Sequence, residues 1–402
     1  MQLLDISSFI KNSITERQES LFLSDISQFN DLLSKQIFGK SVIVIGGAGT
    51  IGSSYIKAIL KYKPSKLFVV DTNENGLTEL TRDLRSEEAQ YLPEDYKTYP
   101  MNFGTEVFRR MFVNEGPFDI VANFAAHKHV RSEKDKYSIE AMIENNVFHA
   151  KEFLDLLVEH KPKHFFCVST DKAANPVNVM GASKKLMEEV ILAYSKEIKI
   201  TTARFANVAF SNGSLLEGFI NRLQKQQPIS CPADVKRFFV SPEESGQICM
   251  LACILGETGD IFYPKLAEEK MVNFKTIAES FFEALGRKIK YCENEDEAKA
   301  TVVNSKTEEY PVFFFNSDTS GEKLYEEFYT EYDLIDEQTF SSLGRIKSNS
   351  KSTEQSISLA ISELKNLMNK NNCNKQSIVN LLSKYIPDFT HIETGKTLDQ
   401  KM

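Results

Sequence analysis

Two short stretches of this sequence carry side chains able to move protons. Ser169-Thr170-Asp171-Lys172 sets a carboxyl beside an amine, and Met180-Gly181-Ala182-Ser183-Lys184 supplies a second amine soon afterwards. The run KHFFCVST that leads into Asp171 is short, apolar and aromatic-rich, which predicts a buried strand with the acid and the amine at its carboxyl end. In an open parallel sheet that end faces the ligand, so an adjacent acid and base there can give and take protons. Lys184 stands four residues past Met180 and shares a helix face with it. An amine serves as a base only when desolvation or a neighbouring cation brings its pKa well below about 10.4, and Lys184 is the candidate cation for Lys172. The plain alternative for Asp171 and Lys172 is a surface ion pair worth at most about 1 kcal/mol. Met180, taken without its neighbours, reads as a packed core residue.

The elements that position these groups begin at Ser41. SVIVIGG, KLFVVD, FDIVANFAA and KHFFCVST are apolar runs separated by helix-like segments, the rhythm of an α/β protein with a doubly wound parallel sheet covered on both faces. The first run ends in Gly46-Gly47-Ala48-Gly49-Thr50-Ile51-Gly52 before the helical SSYIKAILKY. Gly46 allows the strand-to-helix turn, Gly49 leaves room for a pyrophosphate, Gly52 allows close helix packing, and the amides at the helix start bind phosphate. Asp71 ends the second run, where a carboxylate accepts hydrogen bonds from an adenosine ribose. Thr72, Asn73 and Glu74 follow with no basic residue to receive a 2′-phosphate, so NAD is expected over NADP. The competing reading makes Asp71 a helix cap. A P-loop lysine is missing from the glycine turn, which argues against an ATPase.

Around this Rossmann-type body, placed at 39–205, the sequence predicts a helical N-terminal extension (1–38), a smaller α/β substrate-binding lobe over the strand ends (206–345) and a helical C-terminal tail (346–402). The extension carries Leu21, Leu23, Ile26, Phe29, Leu32 and Leu33 at helical spacing, and the tail carries Ile357, Ile361, Leu364 and Met368. The polar stretch SNSKSTEQ separates the tail from the body. With 42% hydrophobic residues the chain can bury large cores. It shows no apolar run of membrane-spanning length and no secretory leader, so a cytoplasmic location without membrane association is expected. Six cysteines without metal-type spacing fit reduced thiols, Cys249 and Cys253 in the helix core, and no metal site. Lys and Arg number 48 against 56 Asp and Glu, a net charge of −8, which makes nucleic acid an unfavourable partner.

Taken together, GGAGTIG, FAAHKHV (Phe124–Val130), STDKAANPVNVMGASK (Ser169–Lys184), RFANVAFSNGS (Arg204–Ser214) and RFFV (Arg237–Val240) closely resemble the nucleotide-sugar 4,6-dehydratases, members of the extended short-chain dehydrogenase/reductase superfamily from bacterial polysaccharide and nonulosonic acid synthesis. The resemblance covers roughly residues 40 to 265 and is greatest to the CapD-like UDP-N-acetylglucosamine 4,6-dehydratase group. Short-chain dehydrogenases normally pair a tyrosine with the lysine, and Met180 here resembles the subgroup that retains configuration at sugar carbon 5. The extension and YPVFFFNSDTSGEK resemble the legionaminic-acid-pathway members. The resemblance implies a UDP- or GDP-linked N-acetylglucosamine substrate, a resident NAD and at least a homodimer formed through sheet-flanking helices. It implies that Lys172 takes the carbon-5 proton, Asp171 protonates the leaving carbon-6 hydroxyl, Thr170 bonds the carbon-4 oxygen and Lys184 holds the nicotinamide ribose. Thr50, Ile51, Ala125 and Ala126 join the cofactor contacts; Lys128 and His129 are implied near the cofactor and sugar, although a lone histidine is more often structural, and Asn207 and Arg237 near the sugar diphosphate, where a planar guanidinium suits phosphate, with Ser211 a further substrate candidate. Ser211 and Ser214 also read more simply as caps for a helix such as the one starting near Leu215, and His127 departs from the family pattern. RSEKDKYS, mixed in charge, reads as a solvated or dimer-facing helix start. Two other readings stand beside the dehydratase: a C4-epimerase or ketoreductase, weakened by the missing tyrosine, and a non-catalytic NAD- or sugar-binding regulator.

Overall fold

The computed structural model describes residues 4–395 apart from 89, 302–307, 319, 322, 324, 326 and 348–351. The apolar runs form the centre of one sheet because a strand covered by helices on both faces must be apolar on both. In chain order these strands are β1 (Ser41–Ile45), β2 (Lys66–Asp71), β3 (Asp95–Pro100), β4 (Ile120–Asn123), β5 (His164–Val168) and β6 (Ile200–Ala203). They lie in the order β3-β2-β1-β4-β5-β6, all parallel, and Asp260–Pro264 adds a further parallel strand beside β6. Leu343–Lys347 and Leu334–Asp336 close this edge in antiparallel register, completing nine strands among the described residues. Strand order reverses between β1 and β4, which opens a crevice at the carboxyl ends of those strands.

The expected lobe at 206–345 is not one continuous unit. The helix Pro242–Leu255 returns to pack on the helix Thr50–Leu60 and on β5 and β6, and the strands at 260–264, 334–336 and 343–347 belong to the main sheet. The separate lobe is built from the parallel strands Ile229–Pro232, Glu309–Phe315 and Lys288–Cys292 with the helices Leu215–Gln224 and Phe274–Ala284. Its own core includes Phe219, Phe281, Phe282 and Tyr310.

Both extensions are helical, as the spacing predicts. In the N-terminal one, Phe9, Ile10 and Ile14 enter the lobe core while Phe22, Leu33 and Ile37 join the main core, so this segment bridges the two. Leu23 and Leu32 face outward. In the tail, Ile357, Ile361, Leu364 and Met368 are all buried on the helix Glu354–Met368, and the helix Lys375–Tyr385 packs beside it. Part of the polar stretch SNSKSTEQ, 348–351, lies outside the described residues. All six cysteines are buried and unpaired, with Cys249 and Cys253 inside the helix Pro242–Leu255. Among the described residues no helix is long and apolar enough to cross a membrane.

Candidate active site

The glycine loop turns directly off β1. Gly46 has a φ of +75°, and a Cβ there would meet Ala125 N at 2.5 Å, so both backbone conformation and the neighbouring strand end require glycine. At Gly52 a Cβ would lie 2.3 Å from Gly46 O, which would separate helix and turn. Gly49 differs: its added Cβ would find only Gly46 O at 3.4 Å, so that hydrogen is not demanded by protein packing and leaves a concave backbone surface. Gly49 precedes the helix Thr50–Leu60, and no side chain caps the helix start, so its first amides are available to an anion. Asp71 stands beside this loop, accepting from Ala48 N at 3.0 Å and from Asn73 N at 2.9 Å. The cap of the next helix is Asn73, whose Oδ1 accepts from Gly76 N, so Asp71 is not the capping residue. A dinucleotide site is therefore consistent with the cradle that Gly46–Gly52 form, with Asp71 at its rim. Ala125 and Ala126 follow β4 against the loop, half-buried, and Ile51 packs on the main core.

At the end of β5 the acid and amine meet. Asp171 is 5% exposed, and its Oδ1 accepts from Thr170 Oγ1 at 2.7 Å, Lys172 N at 2.9 Å and Lys172 Nζ at 3.2 Å. The Lys172 side chain is one-fifth exposed, so the pair sits at the boundary between core and crevice and is not a surface ion pair. The helix Val179–Ala193 backs onto it closely, because a Cβ on Gly181 would lie 2.5 Å from Lys172 O. Asn178 caps that helix through Gly181 N at 2.7 Å. Met180 is buried at the first turn.

Lys184 has partners that its spacing from Met180 does not name. Its ammonium donates to Val168 O at 2.7 Å and lies 3.3 Å from the Met187 sulfur. Burial holds its pKa below the ordinary lysine value, against the opposing pull of Cys167 and Glu188. The structure ties Lys184 to the strand end that carries Thr170–Lys172.

Over the crevice, Asn212 links three elements: its amide donates to Thr50 Oγ1 at 2.9 Å, and its carbonyl accepts from Lys128 Nζ at 2.8 Å. Desolvation lowers the Lys128 ammonium's pKa even though the side chain as a whole is exposed. The His129 ring lies 2.9 Å from where a Gly213 Cβ would stand, so Lys128 and His129 both meet the 210–214 turn. His127, whose imidazole pKa is lowered by burial, is held by its backbone between Asn146 Oδ1 and Nδ2. Asn207 Nδ2 is buried without a hydrogen-bond partner, an unsatisfied donor of the kind a ligand would complete. Ser211 and Arg237 are buried, Arg237 donating to Lys236 O at 2.9 Å, and Ser214 caps the helix Leu215–Gln224. A cavity of about 580 Å³ borders Thr50, Ser53, Phe210 and Asn212, but it runs outward along Lys57 and Glu243, and none of Thr170, Asp171, Lys172 or Lys184 lines it.

Two features went unseen in the sequence. Ser169 Oγ donates to Glu188 Oε1 at 2.6 Å, and Arg204 grips the same carboxylate through Nε at 3.0 Å and Nη2 at 2.8 Å. This buried triad joins the ends of β5 and β6 to the Lys184 helix. Within RSEKDKYS, Asp135 caps the helix Lys136–Ile143 at the surface as expected of a solvated helix start, but Glu133 is 5% exposed and accepts from Val179 N at 2.6 Å. The helix Val179–Ala193, one of the sheet-flanking helices, is packed against the chain's own C-terminal hairpin.

A family model described as polysaccharide biosynthesis protein matches residues 42–348. An uncharacterized membrane protein of Methanocaldococcus jannaschii is 30% identical over 301 residues, covering 73% of this chain and 82% of that protein. The inverting UDP-N-acetylglucosamine 4,6-dehydratase of Campylobacter jejuni is 29% identical, covering 58% of this chain and 70% of the enzyme. The capsular polysaccharide biosynthesis protein CapD of Staphylococcus aureus is 27% identical over 79% of this chain, which spans about half (49%) of that relative's length. Among solved structures, the dTDP-glucose 4,6-dehydratase DesIV of Streptomyces venezuelae, crystallised with NAD, superposes with a TM-score of 0.55 at 17% identity, covering 72% of this chain and 88% of that one. That likeness is one of fold.

Proposed function

The chain belongs to the polysaccharide biosynthesis protein family, and from that premise we propose that it is an NAD-dependent 4,6-dehydratase of nucleotide-linked N-acetylglucosamine, UDP- or GDP-activated, acting with retention at carbon 5. The observation that carries this reading is the contact of Asp171 with Lys172 at the carboxyl end of β5, backed by Gly181. A 4,6-dehydration needs an acid and a base within reach of adjacent sugar carbons. A single proton shared across 3.2 Å satisfies both needs, because moving it from Lys172 to Asp171 leaves a neutral amine and a neutral acid. Lys172 then takes the carbon-5 proton, Asp171 gives its proton to the departing carbon-6 hydroxyl, and water leaves. Lys172 returns a proton to carbon 5 from the same face. Thr170, whose hydroxyl bonds Asp171 Oδ1, is positioned to turn towards the carbon-4 oxygen, and the proton that oxidation releases there, relayed through this hydroxyl or a water, replaces the one Asp171 gives up. Met180 has no proton to exchange, so it fills the position where a hydroxyl acid would otherwise compete with the Asp171–Lys172 pair.

NAD would be held by the amides of Gly46–Gly52, by Asp71, and by Ala125, Ala126 and Lys184; its chemistry there is to accept hydride from sugar carbon 4 and return it to carbon 6. The acidic Asp71 rim, the nucleotide named with the Streptomyces relative and the open surface at Gly49 support this choice. Lys128, His129, Asn207, Ser211 and Arg237 would bind the sugar diphosphate, with the unsatisfied Asn207 amide as the donor awaiting an acceptor. Products of this class feed surface-glycan or nonulosonic acid synthesis, legionaminic acid among them.

The test is incubation with UDP- and GDP-N-acetylglucosamine without added reductant, followed by mass spectrometry. Loss of one water is the expected result. An epimerase leaves the mass unchanged and a regulator gives no product, and either outcome would sink the proposal.

A further inference from the structure

The segment after the C-terminal hairpin lies outside the 42–348 family match, yet it borders the loop that leads to Met180. Thr390 N and Ile392 N donate to Pro176 O at 3.1 Å and Val177 O at 3.0 Å. On the opposite edge Ile392 O accepts from Gly321 N at 3.0 Å, Ser320 Oγ donates to Glu393 at 2.6 Å, and Thr394 Oγ1 donates to Asp318 O at 3.0 Å. Asn178 Nδ2 completes the junction by donating to Gly321 O at 2.7 Å. This terminal strap is therefore wedged between the proton-transfer loop and the turn that follows the lobe strand Glu309–Phe315.

His391, between the two strap amides, is hydrogen-bonded to the buried Glu133. The other Glu133 oxygen accepts from the amide of Val179, the first residue of the helix that carries Met180 and Lys184. A carboxylate on a helix's first amide makes a charge-assisted bond favoured by the helix dipole, so its placement fixes where the helix begins. Glu133, His391 and Glu393 stand close enough to suggest a metal set, but Lys375 Nζ already bonds both carboxylates, at 3.3 Å to Glu133 and 2.5 Å to Glu393. The cluster is a clasp with its own internal cation.

We propose that Glu133 and His391 are positioning residues for the reaction, and that the strap at 386–394 holds the Asp171–Lys184 region in register with the substrate lobe. The proposal rests on the dehydratase reading for its kinetic consequence only. The test uses the full chain and the variants His391→Ala, Glu133→Ala and Glu133→Gln, comparing amide hydrogen exchange over 171–184 with kcat and KM for the nucleotide sugar. The first two variants should raise exchange in that segment about tenfold and lower kcat about tenfold, with NAD affinity within about twofold of the parent. Glu133→Gln keeps an oxygen for Val179 N and should recover most of both. Unchanged exchange in both alanine variants overturns the proposal, as does raised exchange with an unaltered kcat. If Glu133→Ala does not fold, His391→Ala, on the terminal strap, decides the matter. A parent protein that removes no water from its sugar refutes the dehydratase reading instead, while exchange still reads the clasp.

Discussion

Replacing Arg204 by leucine is the perturbation whose cost the structure defines most fully. Arg204 and Glu188 are 1% and 0% exposed, joined by two hydrogen bonds of 3.0 and 2.8 Å, and Arg204 Nη1 also donates to Phe328 O at 2.8 Å. Burial alone would raise the Glu188 pKa, but the guanidinium outweighs it and holds the carboxyl below its usual range. After Arg204→Leu the carboxylate keeps the Ser169 hydroxyl and Lys185 at 3.9 Å, too little to offset its burial. Breaking such a buried pair from one side costs about 3–5 kcal/mol. For 402 residues at about 2.1 cal/mol/K per residue, a loss of about 4 kcal/mol lowers the Tm by about 5 °C. Glu188→Leu should cost a similar amount, whereas the double variant, with no charge left to bury, should cost clearly less than the sum. Urea and thermal denaturation of the three variants measure this. Single variants costing under about 1 kcal/mol, or a double variant costing the full sum, would show that the pair is not the joint between strand ends and helix that the distances describe.

Further outcomes follow from other contacts. Lys172→Ala should abolish exchange of the carbon-5 hydrogen with solvent deuterium while NAD binding persists; retained exchange rules out Lys172 as the base. Gly181→Ala drives a Cβ to 2.5 Å from Lys172 O, and the displaced acid–amine pair should lose about 100-fold in kcat with dinucleotide affinity kept, as steady-state kinetics and NAD titration would report. His164, 5% exposed, has its pKa lowered to about 4 by burial, with Lys199 adding to the effect. Its folded pKa lies below the unfolded value of about 6.5, so its contribution is fully present above pH 6.5 and is lost as pH falls through about 4. Over that window it costs about 3 kcal/mol, and His164→Gln should flatten the fall in Tm between pH 6.5 and 4.

Much of the sheet was legible because its central strands obey a local rule. β1, β2, β4 and β5 are apolar on both faces, and each ends where glycine, aspartate or a polar turn begins. β3, DYKTYP, lies at the edge with no fully buried residue, so it lacks the apolar run that marks its neighbours. The antiparallel strands at 334–336 and 343–347 are short and carry charges, and only their pairing with Asp260–Pro264 makes them part of the sheet. The helix Pro242–Leu255 did carry a signal: a stretch such as QICMLACIL, apolar all round, must be covered on all sides. That signal belongs to a helix packed against the helix Thr50–Leu60 and the main sheet. The motif made the meeting of Asp171 and Lys172 at the end of β5 legible, while the partners of Lys184 were not, because helical spacing names a shared face and not the atoms a long side chain reaches. Val168 O and the Met187 sulfur are its partners.

The charged residues in the terminal contacts were not legible for one shared reason. A glutamate in a mixed-charge stretch is solvated by default, and only a segment arriving from far along the chain can make its burial favourable. His391 reaches Glu133 across a separation of 258 residues, and Arg17 reaches Glu244 across 227. Each of these glutamates also serves a helix start: Glu133 accepts from Val179 N, and Glu244 forms a capping box with Ser241 while bonding Arg17 at 2.7 Å. The N-terminal extension and the C-terminal strap are therefore fastened by the same device, a buried carboxylate that takes a cationic or imidazole partner from the terminus and also accepts from a backbone amide at a helix start of the main body. Asn178 caps the Lys184 helix from within its own loop, while the Glu133 carboxylate on its first amide is itself held by His391, a residue more than 200 positions beyond Lys184 along the chain.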